Sequence, residues 1–298
     1  MKTAAGMLCL AGILSLGMGT TVFAEDGDSH YPVTITTYNY ENEPVEMTFE
    51  KAPEKVFAYA NSNIEELLAL GLGDKIVAAC GLDGDVREDL KDEFDKIQYM
   101  DTKPSKEEVV AMEPDFIAAW YSSFSDDWLS DVSFWQERDV NTYMSLNSSA
   151  KGPASEFPRT IEDEYEDILN LGKIFDCEDK AEEIVDQMKG EIDKVKEHVE
   201  GTDPLSVAVL EDEGDSFRVY GTETLGGNIP ETLGAELKLG AENSENVGAE
   251  DLIAADPDVL FMINYDGFMT ADEAIADITD NPAYASLSAV KNNKVFSV

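Results

Sequence analysis

The sequence predicts an α/β protein: two Rossmann-like lobes with parallel sheets, joined by one long backbone helix, with a ligand cleft between the lobes. Three observations predict this. Apolar runs of strand length alternate with helical patterns in both halves, one helix–proline–strand segment occurs twice, and a long helical stretch separates the halves. Regular β/α alternation favours parallel strands covered by helices, because each crossover must bring the chain back to the same end of the sheet.

Residues 1–24 read as a signal peptide and not as part of the fold. Lys2 is the only charge before Glu25, an apolar stretch runs from Met7 to Leu16, and Val22-Phe23-Ala24 suits cleavage after Ala24. An uncleaved membrane anchor would need a longer apolar run than this glycine-interrupted one. Cys9 follows Met7-Leu8 and lacks the small residue that precedes a lipidated cysteine, so there is no clear lipobox. The expectation is an exported, non-lipidated protein, periplasmic or at the cell surface.

The N-terminal lobe is expected over 25–157. Within it KVFAYA leads to the helix NIEELLALGLG and then to KIVAACG. The segment EEVVAMEPDFI, Glu107 to Ile117, returns as EDLIAADPDVL, Glu250 to Leu260. Glu107/Glu250, Ala111/Ala254, Pro114/Pro257 and Asp115/Asp258 are identical at one constant offset, and the apolar slots Val109/Leu252 and Val110/Ile253 are kept. In each copy acidic residues suit the positive end of a short helix, proline stops it, and an apolar run of buried-strand type follows. Matching acidic, apolar and proline positions together indicate duplication.

The connector is expected over 158–202. Pro158-Arg159-Thr160 starts it, IEDEYEDILNLGKIF carries apolar residues at helical spacing, EDKAEEIVDQMKGEIDKVKEHV continues it, and Gly201-Thr202-Asp203-Pro204 ends it. The C-terminal lobe is expected over 203–298, with LSVAVLED, SFRVYGTETLGGN and IPETLGAEL before the second copy of the repeat.

Composition narrows the function. With 63 acidic against 21 basic residues the formal net charge is −42, which repels nucleic acid and anionic lipid and makes both poor partners; no nucleic-acid partner is expected. The hydrophobic content of 43% is enough for a packed core. Cys80 and Cys177 lie in different segments without metal-site spacing and are expected as separate thiols. The two histidines, His30 and His198, read as solvated. No nucleophile–base pair, G-x-S-x-G elbow or phosphate-cradling loop is present, and GTETLGGN does not meet a nucleotide fingerprint.

In this order the segments resemble the substrate-binding proteins of ABC importers for ferric siderophores, haem and cobalamin. The resemblance is carried by KAPEKVFAYANSNIEELLALGLGDKIVAACG, SKEEVVAMEPDFIAAW, DILNLGKIFDCEDKAEEIVDQM, ETLGAE, AEDLIAADPDVLFM and AVKNNKVFSV. It implies capture of a small metal chelate and its delivery to importer membrane subunits, with no catalysis, no cofactor and a monomeric chain. It also implies that one glutamate per lobe docks on the importer; Glu65 in NIEELLALG and Glu231 in NIPETLGAE match. The chain departs from the family in stopping at Val298, directly after KVFSV, which reads either as a fragment or as a smaller second lobe.

Ligands of open parallel sheets sit beyond the carboxyl ends of the strands. That places Tyr59, Asn61, Ser62, Asn63, Asp83, Tyr121, Ser122 and Tyr143 in the first lobe and Arg218, Tyr220, Asn264 and Tyr265 in the second, with Arg159 at the start of the connector. Tyrosines offer flat amphipathic surface, and arginine, of which there are only four, suits a carboxylate or catecholate oxygen. The competing readings are structural: Asn61 to Asn63 can cap a helix, Tyr59 and Tyr143 can enter the core, and Arg159 can pair with Glu162 or Asp163. Two other functions remain open. A receptor for free zinc or manganese would need more histidine than this chain has. A two-lobed metallocluster or chelatase-like enzyme would have to use Cys80.

Overall fold

The computed structural model describes residues 30–240, 246–265 and 270–298. The expected signal peptide and its cleavage site lie outside the described residues. No helix among the described residues is long and apolar enough to cross a membrane.

The chain enters through an antiparallel hairpin, β1 (Val33–Tyr38) and β2 (Pro44–Phe49), which the sequence reading did not anticipate. Its signal was there: Ile35 and Thr37, then Met47 and Phe49, alternate with exposed residues and are buried. The N-lobe sheet follows as β3 (Val56–Tyr59), β4 (Ile76–Cys80), β5 (Tyr99–Met100), β6 (Phe116–Ala119) and β7 (Asn141–Met144). All pairings are parallel, in the order β5-β4-β3-β6-β7. Between them run α1 (Asn61–Ala69), α2 (Lys91–Phe94), α3 (Lys106–Ala111) and α4 (Val132–Gln136).

The expected 158–202 connector is two helices, α5 (Ile161–Ile174) and α6 (Glu178–Val199). The break falls at Asp176, whose backbone is left-handed at φ 55. The helices then fold back on each other: a Cβ on Gly172 would stand 2.5 Å from that of Ala181, so glycine is needed where the two backbones approach. Ile161, Tyr165, Ile168 and Leu171 of α5 belong to the N-lobe core. The rod between lobes is therefore α6 alone. Its 22 residues span roughly 33 Å. It buries Ala181 and Val185 in the first lobe, while Val195 and Val199 line a hollow of the second.

The C-lobe sheet contains β8 (Ser206–Asp212), β9 (Phe217–Val219), β10 (Glu236–Leu237), β11 (Val259–Ile263) and β12 (Val295–Ser297). The parallel order is β10-β8-β11-β12, with β9 antiparallel on β8. Its helices are α7 (Leu225–Thr232), α8 (Ala249–Ala255), α9 (Ala271–Thr279) and α10 (Ser288–Lys291). One face packs Leu210, Leu252, Leu260 and Ile278. The other, with Val207, Val209, Val259 and Phe261, fronts an apolar hollow of about 710 Å³ bounded by α6 and α7.

The internal repeat is borne out in detail. The two copies form α3–β6 and α8–β11. In both, the residue before the proline is left-handed: Glu113 at φ 51 and Asp256 at φ 42. In both, the aspartate after the proline pins the start of the neighbouring strand. Asp115 accepts the Glu54 and Lys55 N–H groups, and Asp258 accepts the Ser206 N–H and hydroxyl. The conserved chemistry of the repeat thus fixes β6 beside β3 and β11 beside β8.

Candidate functional site

Each sheet is doubly wound. In the first, the chain works outward from β3 through β4 to β5 and then crosses to β6 and β7; in the second it places β10 on one side of β8 and β11 on the other. The strand order therefore reverses between β3 and β6, and again between β8 and β11. Crevices open at such switch points, beyond the carboxyl ends of the two strands. The repeated strands β6 and β11 each border one.

In the N-lobe the crevice is bounded by residues following β3 and β6. Ala60 takes a positive φ of 76, turning the chain so that α1 starts at Asn61. Asn61 accepts the Asp83 N–H at 2.8 Å, which ties the end of β3 to the loop after β4. Ser62 accepts the Trp120 indole N–H at 3.0 Å, bridging the ends of β3 and β6. Trp120 is 38% exposed. Tyr121 stacks on Tyr40 of the hairpin turn with ring centroids 4.7 Å apart, and Ser122 is exposed. Tyr59 meets Trp128 edge-on at 4.7 Å. Gly81 has to be glycine, since its φ is +85 and a Cβ would come within 2.2 Å of the Tyr59 ring.

Above these rings sits a cation that the sequence reading missed. Lys103 Nζ lies 3.7 Å from the Trp128 ring centroid and 5.6 Å from that of Tyr59. Among the described residues no carboxylate forms an ion pair with it, although acidic residues outnumber basic ones threefold. Its position after β5, directly before Pro104, marks a strand end and was the available signal.

Three expected ligand residues are structural instead. Asn63 is buried, donating to the Tyr59 carbonyl and accepting from the Ser145 hydroxyl, so it locks α1 to β3. Tyr143 is fully buried, since β7 turns it toward α5; its hydroxyl donates to Asp167 at 2.7 Å and accepts from Asn170 at 3.1 Å. Arg159 is buried, and its guanidinium donates to the carbonyls of Phe157 and Gly152, satisfying a loop and leaving no fork for a ligand. It does not pair with Glu162 or Asp163; Asp163 takes Lys151 instead.

In the C-lobe the structure brings together three of the expected residues and adds a fourth. Tyr220 follows β9 and Tyr265 follows β11, with their hydroxyls 3.0 Å apart. Tyr220 also donates to Glu211, near the end of β8, at 2.8 Å. Arg218 stands 3.7 Å from the same carboxylate and 5.5 Å from the Tyr220 ring centre. Burial, the hydrogen bond with Tyr265 and that with Glu211 push the Tyr220 phenol well above its ordinary range. Glu211 was legible only as the first of the two acids that close LSVAVLED. Asn264 is engaged in holding the final strand: its oxygen accepts from Ser297 and its N–H donates to the Val298 carbonyl.

Behind the N-lobe wall lies a buried acidic group. Glu66 of α1 has one carboxylate oxygen shut off from solvent without a hydrogen-bond partner. Burial first, then Asp167, Glu164 and Glu65, raise its titration well above the ordinary carboxyl range. Burial also raises Asp167, against the lowering effect of Tyr143, and Glu164 is raised for the same first reason. An acid whose folded pKa is raised holds a proton that the unfolded chain has already lost. Stability is then greatest below the unfolded pKa, near 4, and falls as pH rises toward the raised folded value, by up to about 1.4 kcal/mol per unit per group. Glu66→Gln is expected to flatten the dependence of Tm on pH and to raise Tm at pH 8, measured by thermal melts from pH 5 to pH 8. A steeper dependence, or a lower Tm at pH 8, would show that the Glu66 charge is stabilising.

The expected docking glutamates lie on α1 and α7. Glu65 accepts the Arg87 backbone N–H at 2.9 Å, and Glu231 is exposed. Cys80 and Cys177 are free thiols, as expected. Cys80 is buried at the end of β4, and burial pushes its thiol up to about 11.

A family profile described as periplasmic binding protein matches residues 56–298. A crystal structure of a periplasmic binding protein from Veillonella parvula DSM 2008 superposes with a TM-score of 0.83 at 32% identity, covering 91% of this chain and 85% of that one. The ABC transporter substrate-binding lipoprotein YvrC of Bacillus subtilis (strain 168) is 24% identical over 310 residues, covering 100% of this chain and 90% of its own length. The Fe(3+)-citrate-binding protein YfmC of the same organism is 25% identical over 199 residues, covering 65% of this chain and 56% of its own.

Proposed function

We propose, since the chain belongs to the periplasmic binding protein family, that it captures a ferric chelate outside the cytoplasm and hands it to an ABC importer. Family members are solute-binding proteins and not enzymes, and this chain is a substrate-binding protein of an ABC transporter. The finer reading, a metal held within an organic anion, is supported by one observation above others. The wall beyond β3, β4 and β5 presents an unpaired cation on aromatic rings, Lys103 over Trp128 and Tyr59, in an otherwise acidic protein. The exposed ring of Trp120 suits a planar or ring-bearing organic ligand and the Lys103 ammonium suits its oxyanion. The similarity to a protein named for Fe(3+)-citrate points the same way.

The competing readings do not use the strand ends at the switch points. For a free zinc or manganese receptor, His30 stands with Asp176 and Glu178 at the break between α5 and α6, their possible ligand atoms within 4.8 Å of one another, and His198 is exposed in the last turn of α6; neither histidine follows a strand of either parallel sheet. A chelatase-like enzyme would rely on Cys80, whose buried thiol resists ionisation. The proposed route is export with the signal peptide cleaved after Ala24, a monomer in solution, and docking through Glu65 and Glu231.

Tryptophan fluorescence tests the ligand. Trp120, exposed after β6, is the tryptophan open to the N-lobe crevice, whereas Trp128 and Trp135 are buried. Saturable quenching is expected with ferric citrate and ferric siderophores, greatly reduced in Trp120→Phe, and absent with zinc or manganese salts. Saturation by bare zinc or manganese alone would sink the chelate reading.

A further inference from the structure

We propose that Glu211, Tyr220 and Tyr265 ligate ferric iron directly, completing the coordination of a chelate that arrives with open positions; this rests on the ferric-chelate reading above. The three side chains come from the carboxyl ends of three different strands of the C-lobe and point their oxygens at one another. Tyr220 Oη is 2.8 Å from a Glu211 oxygen and 3.0 Å from Tyr265 Oη. For an octahedral ion with metal–oxygen bonds of about 2.0 Å, neighbouring ligand oxygens stand about 2.8 Å apart. Tyr220 Oη thus already sits at adjacent-corner spacing from each of the other two oxygens. Their chemistry fits as well. Carboxylate and phenolate are hard oxygen donors, the class preferred by hard cations, and three such anions balance the charge of Fe³⁺.

The two lobes then divide the ligand between them. Lys103 and Trp120 offer a cation and an apolar ring to the organic part of the chelate, and the C-lobe offers oxygens to the metal. Arg218, 3.7 Å from Glu211, orients the carboxylate and meets the chelate's remaining negative charge.

The step is a ligand exchange without redox change. Three bonds from iron to chelate or water oxygens break, and three form to Glu211, Tyr220 and Tyr265. The two phenolic protons pass to the released ligand oxygens or to solvent, and iron stays ferric.

The test is a titration of the purified protein with ferric nitrilotriacetate, read by visible absorption. Phenolate-to-iron charge transfer gives a visible band that neither component shows alone. A saturable band at one iron per chain is expected, with affinity at least about tenfold weaker in Tyr220→Phe, Tyr265→Phe or Glu211→Gln. The double phenylalanine variant should show no band. Resonance Raman modes of iron-bound tyrosinate in the unmodified protein give the same answer without a variant. An unchanged band in the double variant, or fluorescence quenching by ferric nitrilotriacetate without any band, would mean the three groups form only a hydrogen-bonded prop. The second result overturns the direct-ligation proposal while leaving the carrier role intact. Failure of every ferric chelate to quench tryptophan would overturn both.

Discussion

Asp167→Ala is expected to destabilise the N-terminal lobe by about 3–5 kcal/mol, the range for removing one partner from a buried polar network. The Asp167 carboxyl is buried in α5 and accepts the Tyr143 hydroxyl at 2.7 Å and the Leu146 N–H at 3.0 Å. Alanine leaves both donors buried without an acceptor, each at a cost of about 1–3 kcal/mol, and adds a small cavity. The loss should appear in urea unfolding as a lower midpoint with an unchanged slope. Two companion variants separate the parts. Asp167→Asn keeps the shape and one acceptor and should lose much less. Tyr143→Phe removes only the hydroxyl; it should cost about 1 kcal/mol and leave ligand affinity unchanged. If Asp167→Ala melts like the parent, the network is not what joins β7 to α5. If Tyr143→Phe weakens ligand binding, this tyrosine faces the cleft after all.

That network also marks where sequence reading ran out. The parallel sheets, the duplicated unit and the helical spacer were visible because each depends on local pattern: continuous apolar runs for strands, period-3.6 spacing for helices, and a repeated proline and aspartate whose partners lie in the adjacent strand. Tyr59, Asn61, Ser62, Tyr220 and Tyr265 were picked from topology as strand-end residues, and they lie at or just after the ends of β3, β9 and β11. What pattern could not supply was the direction of a side chain. Tyr143 and Tyr59 are both tyrosines near parallel strand ends, yet one is sealed against α5 and the other borders the crevice. Only the register of β7 on β6 and the return of α5 onto the sheet decide between them. Asn63 and Arg159 failed for the same reason, because their partners, Ser145 and the Gly152 carbonyl, come from loops that leave no periodic trace. Glu211 was passed over because a single acid among so many carries little signal until its neighbours are known, and Lys103 because β5, whose end it marks, is only two residues long. The break of the connector at Asp176 is likewise tertiary: Gly172 and Ala181 permit the fold-back, and small residues in a helix do not announce one.

Paired removal of Glu65 and Glu231 is the second large effect, and it should fall on delivery while binding is untouched. Arg87 is close to Glu65 but does not neutralise it. Its guanidinium is committed to Asp89 at 2.7 and 3.1 Å, and only its backbone N–H reaches the Glu65 carboxylate. Glu65 is thus held in one orientation with its charge available, and Glu231 is exposed on α7 of the other lobe. Truncating one member of a desolvated charge pair costs about 2–5 kcal/mol, equivalent to roughly 30-fold or more in affinity. Glu65→Ala is therefore expected to cut importer-dependent uptake of iron by at least about 30-fold at subsaturating carrier, and the double variant to abolish it. Both should bind ferric citrate as tightly as the parent. Docking of the parent should weaken as salt rises, because charges at the rim steer the encounter over about 8–10 Å at ordinary ionic strength. The readings separate cleanly. Lost uptake with intact affinity places these carboxylates on the importer face. Lost affinity in Glu65→Ala would instead turn the first turns of α1 toward the ligand, and the crevice beyond β3 and β6 would have to be redrawn around it.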